Sequence, residues 1–430
     1  MNPLYRNDKP GAFPESWYAA TADIPAPRPA LDGDRRADVA IIGAGYTGLS
    51  AALHLAARGF DVVVLEAHRA GFGASGRNGG QVGTGFNKDQ IWLEKRLGHD
   101  AARQLWDLTV EAKALTRDLV AAHAPEARYR PGVLQGEWTD GGTREAHDYA
   151  EWLERNYGYT TTPLDRDAAQ AICPATVYQG GVLDMDAGHL HPLRYALGLA
   201  RAAEAAGATI FEQTEALSAA DGVIKTRSGQ VTADHVIVAG NGYLPEIVSD
   251  VPSKVMPINS FIAATEPLGD LAKTVLTQDV AVADDKFVVN YFRLSEDQRL
   301  LFGGRESYSI GFPTDILTAL RARMVRLFPS LHDTRIDYHW GGTLGITMTR
   351  LPFLARLDDK TIAAGGFSGH GVALTGLAGK IMAEAVAGQA ERMDLLSTLP
   401  VPRFPGGRTT RAPLLTLAMT WYALRDRLGV

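Results

Sequence analysis

Residues 37–80 read ADVAIIGAGYTGLSAALHLAARGFDVVVLEAHRAGFGASGRNGG, and the order of elements in that stretch decides the fold. Residues 38–42 (DVAII) are apolar and β-branched, as a buried parallel strand requires. Gly43, Ala44, Gly45, Tyr46, Thr47 and Gly48 follow in G-x-G-x-x-G order. Residues 49–58 carry apolar side chains at helical spacing, and Gly59 stops that helix. Residues 61–65 (DVVVL) form a second strand, closed by Glu66. The three glycines of the turn permit, in order, a tight bend, close backbone approach to a pyrophosphate, and close contact between helix and strand. The helix start presents unpaired N–H groups and a positive dipole end to that pyrophosphate. Glu66 lies 21 residues after Gly45 (66 − 45), placed to accept hydrogen bonds from an adenosine ribose and to repel a 2′-phosphate. The glycine pattern alone is a weak signal, because ordinary βαβ turns share it. Strand, helix, strand and terminal acid in register indicate a dinucleotide site.

The next run favours FAD over a nicotinamide. Ala74, Ser75, Gly76, Arg77, Asn78, Gly79, Gly80 and Gln81 come directly after the second strand, where a nicotinamide enzyme would continue its βαβ winding. Glycines and small polar groups in such a run let a backbone wrap around a large flat ligand.

These segments resemble a known family. GAGYTGLSAALHLAARG (43–59), VVVLEA (62–67) and GFGASGRNGGQ (71–81) are similar to the D-amino-acid-oxidase-like flavoprotein superfamily, which contains sarcosine oxidase and glycine oxidase. SWYAATA (16–22) and WYALRDRL (421–428) resemble its γ-glutamylputrescine oxidoreductase branch. The likeness covers nearly the whole chain, and its cofactor motifs are more specific than its terminal ones. It implies a mixed α/β fold: a Rossmann-like FAD-binding domain, discontinuous in sequence (37–95, 160–255 and 336–400), with an antiparallel-sheet substrate domain over the flavin (96–159 and 256–335). Residues 1–36 would be an N-terminal extension, and 401–430 a C-terminal extension with a terminal helix. Residues 235–239 (HVIVA), ending in Gly240, Asn241 and Gly242, resemble the returning strand near the flavin pyrophosphate; a plain strand-end turn is the alternative. Gly366, Phe367, Ser368, Gly369, His370 and Gly371 match the family's C-terminal flavin motif, so that a helix N-terminus would face the N1/C2=O edge of the ring. The same likeness adds Ala67 and Ala216 to the cofactor contacts.

Composition agrees. The 430 residues are enough for two domains. Hydrophobic residues make up 46% and charged residues 21%, the balance of a globular protein. A net charge of −6 argues against nucleic acid or an anionic membrane as partner. Cys173 is alone, which excludes an internal disulfide and argues against a cysteine metal site; no metal is expected. The first 36 residues hold six prolines and no apolar core, unlike a signal peptide. Residues 361–379 lack charged side chains, but six glycines and His370 read as a buried loop and helix rather than a membrane span. A cytoplasmic enzyme is expected.

Along the rest of the chain, 88–125, 147–157, 164–171 and 192–206 have helical patterns, and 129–138 reads as a strand. From 256 to 337, strand-like runs (SFIAATE, FVVNYFRL, RLLFGGRES) replace the βαβ rhythm, with a hairpin turn at 295–298. Residues 336–345 and 361–390 then return to the cofactor domain.

In this family the flavin carries the reaction, and the protein supplies binding, orientation and electrostatics. An amine needs a neutral nitrogen and a C–H bond aimed at flavin N5, about 3–3.5 Å away. Hydride transfer then leaves an imine that water hydrolyses to an aldehyde. No Ser/His/Asp or Cys/His arrangement points elsewhere. His370 tunes the flavin or the substrate nitrogen, or only fixes its loop. In FVVNYFRL, Tyr291 and Arg293 share one face, while Asn290 and Phe292 share the other. One pair should face the flavin, which makes Tyr291 and Arg293 candidate catalytic residues with His370. Two departures from relatives set the expected chemistry. Sarcosine-oxidase-like members tether the flavin through a cysteine in the stretch matching 341–349; GGTLGITMT has none, so FAD is expected to be non-covalent. Amino-acid oxidases supply a carboxylate-clamping arginine from the same segment; here it falls at Leu344, so an α-amino acid is disfavoured unless Arg350, Arg305 or Arg293 replaces the clamp. The expected substrate is a γ-glutamylputrescine-like or secondary amine, with O2 or another electron acceptor. A flavin enzyme of an amino acid, hydroxy acid or sugar phosphate on the same fold is the runner-up, followed by a protein that keeps FAD as structure.

Overall fold

The computed structural model describes residues 3–243, 251–286, 288–307 and 311–405. Two sheets organise them. The first is built on β1 (Arg35–Ile42), flanked in parallel by β2 (Val62–Leu65) and β10 (Gln230–Val238). β7 (Thr209–Phe211) extends it beyond β2, and β17 (Thr361–Gly365) extends it beyond β10, both in parallel. β16 (Phe353–Arg356) pairs antiparallel with β17 and closes that edge. A side hairpin of β8 (Ser218–Ala220) and β9 (Val223–Lys225) joins β10. β2 reads VVVL and is buried throughout, as a strand covered on both faces must be.

The second sheet runs β15 (Ile336–Ile346), β11 (Met256–Thr265), β14 (Leu300–Ser307), β13 (Tyr291–Leu294), β12 (Ala281–Asp284), β4 (Arg130–Glu137), β6 (Gly180–His189), β3 (Gln81–Val82), with β5 (Thr162–Asp165) beside β6. Its pairings are antiparallel except for β12 with β4.

The helices Tyr46–Ala56, Pro192–Ala205 and Gly371–Val386 share one apolar core with one face of the parallel sheet, and His99–His123 joins that core by packing on the latter two helices. The helix Leu317–Leu327 covers the far face of the second sheet through Leu320, Met324 and Leu327, packed with Phe261, Phe292 and Phe302. Trp17 and Tyr18 of the short helix Trp17–Thr21 fill a seam with Leu193, Ile262, Leu301 and Trp340.

Several expectations change. β5 and β6, within the 160–255 stretch assigned to the cofactor domain, pair in the second sheet. So does β15, assigned with 336–400: its ladder with β11 runs from Met256↔Ile346 to Thr265↔Ile336. Gly341 and Gly342 lie inside that strand, where a Cβ at Gly341 would press on Phe312 and Phe261 and one at Gly342 on Arg77. The run FVVNYFRL is a strand only from Tyr291; Asp284 accepts the Asn290 backbone N–H at 2.8 Å and pins the preceding residues as a loop, with Phe287 outside the described residues. The helix expected at 147–157 starts at Asp140, where Thr139 caps Gly142 N–H at 2.9 Å and offsets two glycines in the first turn. Residues 361–365 form β17 ahead of the expected loop, and the helix follows from Gly371. The terminal helix expected in 401–430 concerns residues 406–430, which lie outside the described residues. Among the described residues, no helix is long and apolar enough to cross a membrane.

The helix Gly371–Val386 meets the helix Tyr46–Ala56 backbone to backbone: a Cβ on Gly379 would overlap the Thr47 carbonyl and lie 2.8 Å from the Ala51 nitrogen. Neither partner can move aside as a side-chain tip would. Gly379→Ala should therefore destabilise the fold by about 1–3 kcal/mol, read as a lower midpoint in thermal denaturation.

Candidate functional site

The parallel strands β1, β2 and β10 end on one side of the sheet, the position where α/β sheets hold ligands. A cavity of about 500 Å³ opens there and reaches the face of the second sheet that carries Ser260 and Tyr291. Gly43 takes φ +104, a backbone conformation glycine allows, and turns the chain out of β1. Gly45 lines the cavity, and a Cβ there would come within 2.9 Å of Ser75 Oγ. That Oγ accepts the Tyr46 N–H at 2.9 Å, tying the second glycine run to the start of the helix. Thr47 also lines the cavity. Gly48 does not: it packs against the Gly43 carbonyl, the helix–strand contact expected of the third glycine.

Glu66 follows β2 and lines the cavity beside Ala67 and Ala216. Its carboxylate accepts the Ala44 N–H at 2.8 Å and the His68 N–H at 2.9 Å. Burial nevertheless pushes its pKa up to about 7. In the second glycine run, Asn78 bonds the Ala74 and Ser75 carbonyls and accepts the Gly80 N–H at 2.8 Å, so the run is fixed by its own side chain. Ala74, Asn78, Gly79 and Gln81 line the cavity; Gly80 does not, because it is folded against the Leu190 carbonyl. Arg77 donates to Asp8 at 3.0 Å and to the Phe72 and Gly341 carbonyls, while its Nη2 is buried without a protein partner.

At the other strand ends, Gly240 and Asn241 line the cavity, and Asn241 accepts the Gly366 N–H at 2.8 Å. Gly366 itself stands behind the wall, whereas Phe367, Ser368, Gly369, His370 and Gly371 form part of it. His370 Nε2 donates to the Thr84 carbonyl at 3.0 Å, since a carbonyl can only accept; the neutral ring therefore keeps its lone pair on Nδ1. Burial lowers the pKa of this imidazole, so it is neutral at pH 7. Thr84 is fixed in turn by hydrogen bonds of 2.8 Å to Asp184 and Tyr159.

Of the two residues expected on one face of β13, only Tyr291 reaches the cavity. Its ring occupies space left by Gly79 and Gly303, and its hydroxyl meets Ser260 Oγ at 3.2 Å. Arg293 lies outside the cavity wall, bonded to the carbonyls of Gly79 and Leu190 and to the Tyr18 hydroxyl, so it is a tether between segments. Leu344 and Arg350 both line the cavity; the side chain of Arg305 lies outside the described residues. Sequence reasoning missed Leu4, Asn87, Ser260 and Glu306 in the wall. Leu4 and Asn87 carry no local signal, whereas Ser260 and Glu306 lie in strands that were recognised without a register.

These residues fit an FAD. The two glycine runs leave backbone open to the cavity, a Cβ at Gly45 would fill that space, and Arg77 Nη2 is a buried donor awaiting an acceptor. Comparison with known proteins gives the same reading. Residues 38–385 match the family described as DAO, FAD dependent oxidoreductase. The chain is 42% identical over 420 residues to the probable oxidoreductase OrdL of Rhizobium meliloti (strain 1021), covering 96% of this chain and 97% of that one. It is 40% identical over 420 residues to the gamma-glutamylputrescine oxidoreductase of Escherichia coli (strain K12), covering 96% and 99%. The crystal structure of glycine oxidase from Geobacillus kaustophilus shares the fold, with a TM-score of 0.70 and 21% identity over 86% of this chain and 100% of that one. The dinucleotide geometry thus has a family to belong to, and this chain is a member of the FAD-dependent oxidoreductases.

Proposed function

We propose that this FAD-dependent oxidoreductase oxidises the C–N bond of an extended amine resembling γ-glutamylputrescine, and that it does so in the cytoplasm. The observation that carries the reading is that Leu344 lines the cavity, a residue that the resemblance puts where amino-acid oxidases of the superfamily carry their carboxylate clamp. Likeness to the γ-glutamylputrescine enzyme of Escherichia coli supports it. When bound, FAD supplies the two-electron acceptor for a C–H bond next to nitrogen.

The chain's own residues do the remaining work. Gly43, Gly45 and the start of the helix Tyr46–Ala56 hold the pyrophosphate, and Glu66 takes the ribose hydroxyls. Asn78, Asn241 and the turn before Gly371 fix the remaining backbone around the ring system. No cysteine lies in residues 341–349, and Cys173 is buried in the core beneath the second sheet, so the cofactor is held without a covalent bond and acid precipitation releases it. Leu344 and Tyr291 present an apolar and aromatic wall to the substrate chain. His370, fixed by Thr84 and neutral, offers an acceptor at Nδ1 without adding positive charge that would repel an ammonium.

A carboxylate entering this wall loses water and gains no bidentate partner from residue 344, which costs several kcal/mol. In an anaerobic panel, γ-glutamylputrescine and other extended amines should therefore bleach the flavin absorbance faster than glycine or D-alanine. The bleaching rate should rise with pH until the substrate amine is neutral. Faster bleaching by glycine, or by a hydroxy acid, would defeat the proposal.

Glu66 gives a pH test of cofactor binding. Its pKa is about 7 in the cofactor-free protein. Ribose hydroxyls donate to the ionised carboxylate, so the bound state lowers that pKa, and binding releases protons below about pH 7. Affinity for FAD should consequently rise as the pH is raised towards 7 and level off above it. Fluorescence titration of the stripped protein with FAD should show this rise, and Glu66→Gln should flatten it.

A further inference from the structure

The strand β14 does not alternate regularly. Ile262 of β11 pairs with Gly303, but Phe261 pairs with Arg305, so Gly304 is an extra residue without a partner, a β-bulge. The insertion decides which side chain reaches the cavity. Gly303 belongs to the cavity side, since the Tyr291 ring lies where its Cβ would be. Regular alternation from Gly303 would give that side to residue 305 and turn residue 306 towards the opposite core. The bulge instead sets Glu306 across from Ser260, and both line the cavity with Tyr291. Gly304 suits the role, because a Cβ there would lie 2.9 Å from Asn290 Oδ1 and 3.2 Å from the Phe302 ring. Bulges beside functional sites commonly re-aim one side chain, and here the re-aimed side chain is a carboxylate.

Among the described residues, three other acids line the wall. Asp284 accepts from Asn290 and from the Trp138 indole. Glu215 accepts the Tyr5 hydroxyl at 3.0 Å, and Glu66 accepts two backbone N–H groups beside β2. Glu306, like Asp284, belongs to the second sheet, where it pairs with Ser260 of β11.

We propose that Glu306 binds a second, permanently protonated nitrogen of the substrate, the α-ammonium of a γ-glutamyl-type head group, while the other nitrogen reacts. The proposal rests on the amine reading above. Charge logic selects the nitrogen. The reacting nitrogen must be neutral, and a carboxylate against it would stabilise its ammonium form and slow the reaction. A nitrogen that keeps its proton throughout gains from the same contact.

The test is a cycle between Glu306→Gln and the substrate ammonium. The probes are γ-glutamylputrescine and its deamino counterpart, N-(4-aminobutyl)glutaramic acid, which keeps the carboxylate and the reacting amine. Anaerobic flavin bleaching gives an apparent Kd for each. Wild type should prefer γ-glutamylputrescine, and Glu306→Gln should reduce that preference about tenfold or more, the scale of one charge-assisted hydrogen bond. Glu306→Asp should keep part of it. Calorimetric binding of γ-glutamyl-n-butylamide, which has the head group but no reacting amine, should weaken by a similar factor in Glu306→Gln. Equal weakening of both probes, or a shifted pH profile for the bleaching rate, would overturn the assignment by placing Glu306 at the reacting nitrogen. Loss of FAD from both the Gln and Asp variants would also overturn it, making Glu306 structural. If no amine bleaches the wild-type flavin, the amine reading fails and this proposal with it. If amines bleach it but wild type does not distinguish the probes, only the role of Glu306 fails.

Discussion

Backbone packed directly against backbone at the first turn of the helix Tyr46–Ala56 is the contact on which the site depends. Gly48 lies on the Gly43 carbonyl from one side, and Gly379 of a distant helix lies on the Thr47 carbonyl from the other. With side chains absent at both places, that first turn is held between β1 and the helix Gly371–Val386. The glycine turn therefore has a fixed position relative to β1, β2 and β10, whose ends form one wall of the cavity. A segment from residue 371 onward thus sets the geometry of a motif that begins at residue 43.

The cofactor half was legible because its signals are local. A buried parallel strand, a glycine turn, a helix and an acid occur within residues 38–66, and each can be recognised from its neighbours alone. The same holds for the self-capped run around Asn78 and for the turn before Gly371. The second half was legible only as strands. Its information lies in register, which depends on partners far away in sequence: residues 336–345 were assigned to the cofactor domain, whereas β15 pairs with β11, and Gly341 there leaves room for Phe261 and Phe312. Arg293 was grouped with Tyr291 by alternation, correctly, yet two residues along a strand is far enough to leave the cavity and meet Tyr18 and Leu190 instead. Glu306 had no chance of being read, since one unpaired glycine reverses the parity on which any alternation argument rests.

Charged groups line both walls of the cavity. On the glycine-turn side they are bound to protein partners: Arg77 to Asp8, and Glu66 to backbone N–H groups. Their function is to hold shape as well as ligand, and burial raises the cost of leaving either exposed to a misfit. On the sheet side the wall sets Gln81, Gln135, Ser260, Asp284 and Glu306 beside Ala283, Tyr291 and Leu344. Such a wall can change its preference by single substitutions without disturbing the parallel sheet, because the two sheets have separate hydrophobic cores.

The amino-terminal segment connects the two walls in another sense. Leu4 contributes to the cavity surface, the Leu4 carbonyl accepts from His68, and Asp8 holds Arg77 in place. Occupancy of the cavity and docking of this segment are therefore linked equilibria, and the linkage is reciprocal. Whatever affinity a ligand draws from Leu4 and from a correctly held Arg77 returns as an equal free energy keeping the segment seated. Leu4 and Asp8 thus make the amino-terminal segment part of the wall on which the ligand depends.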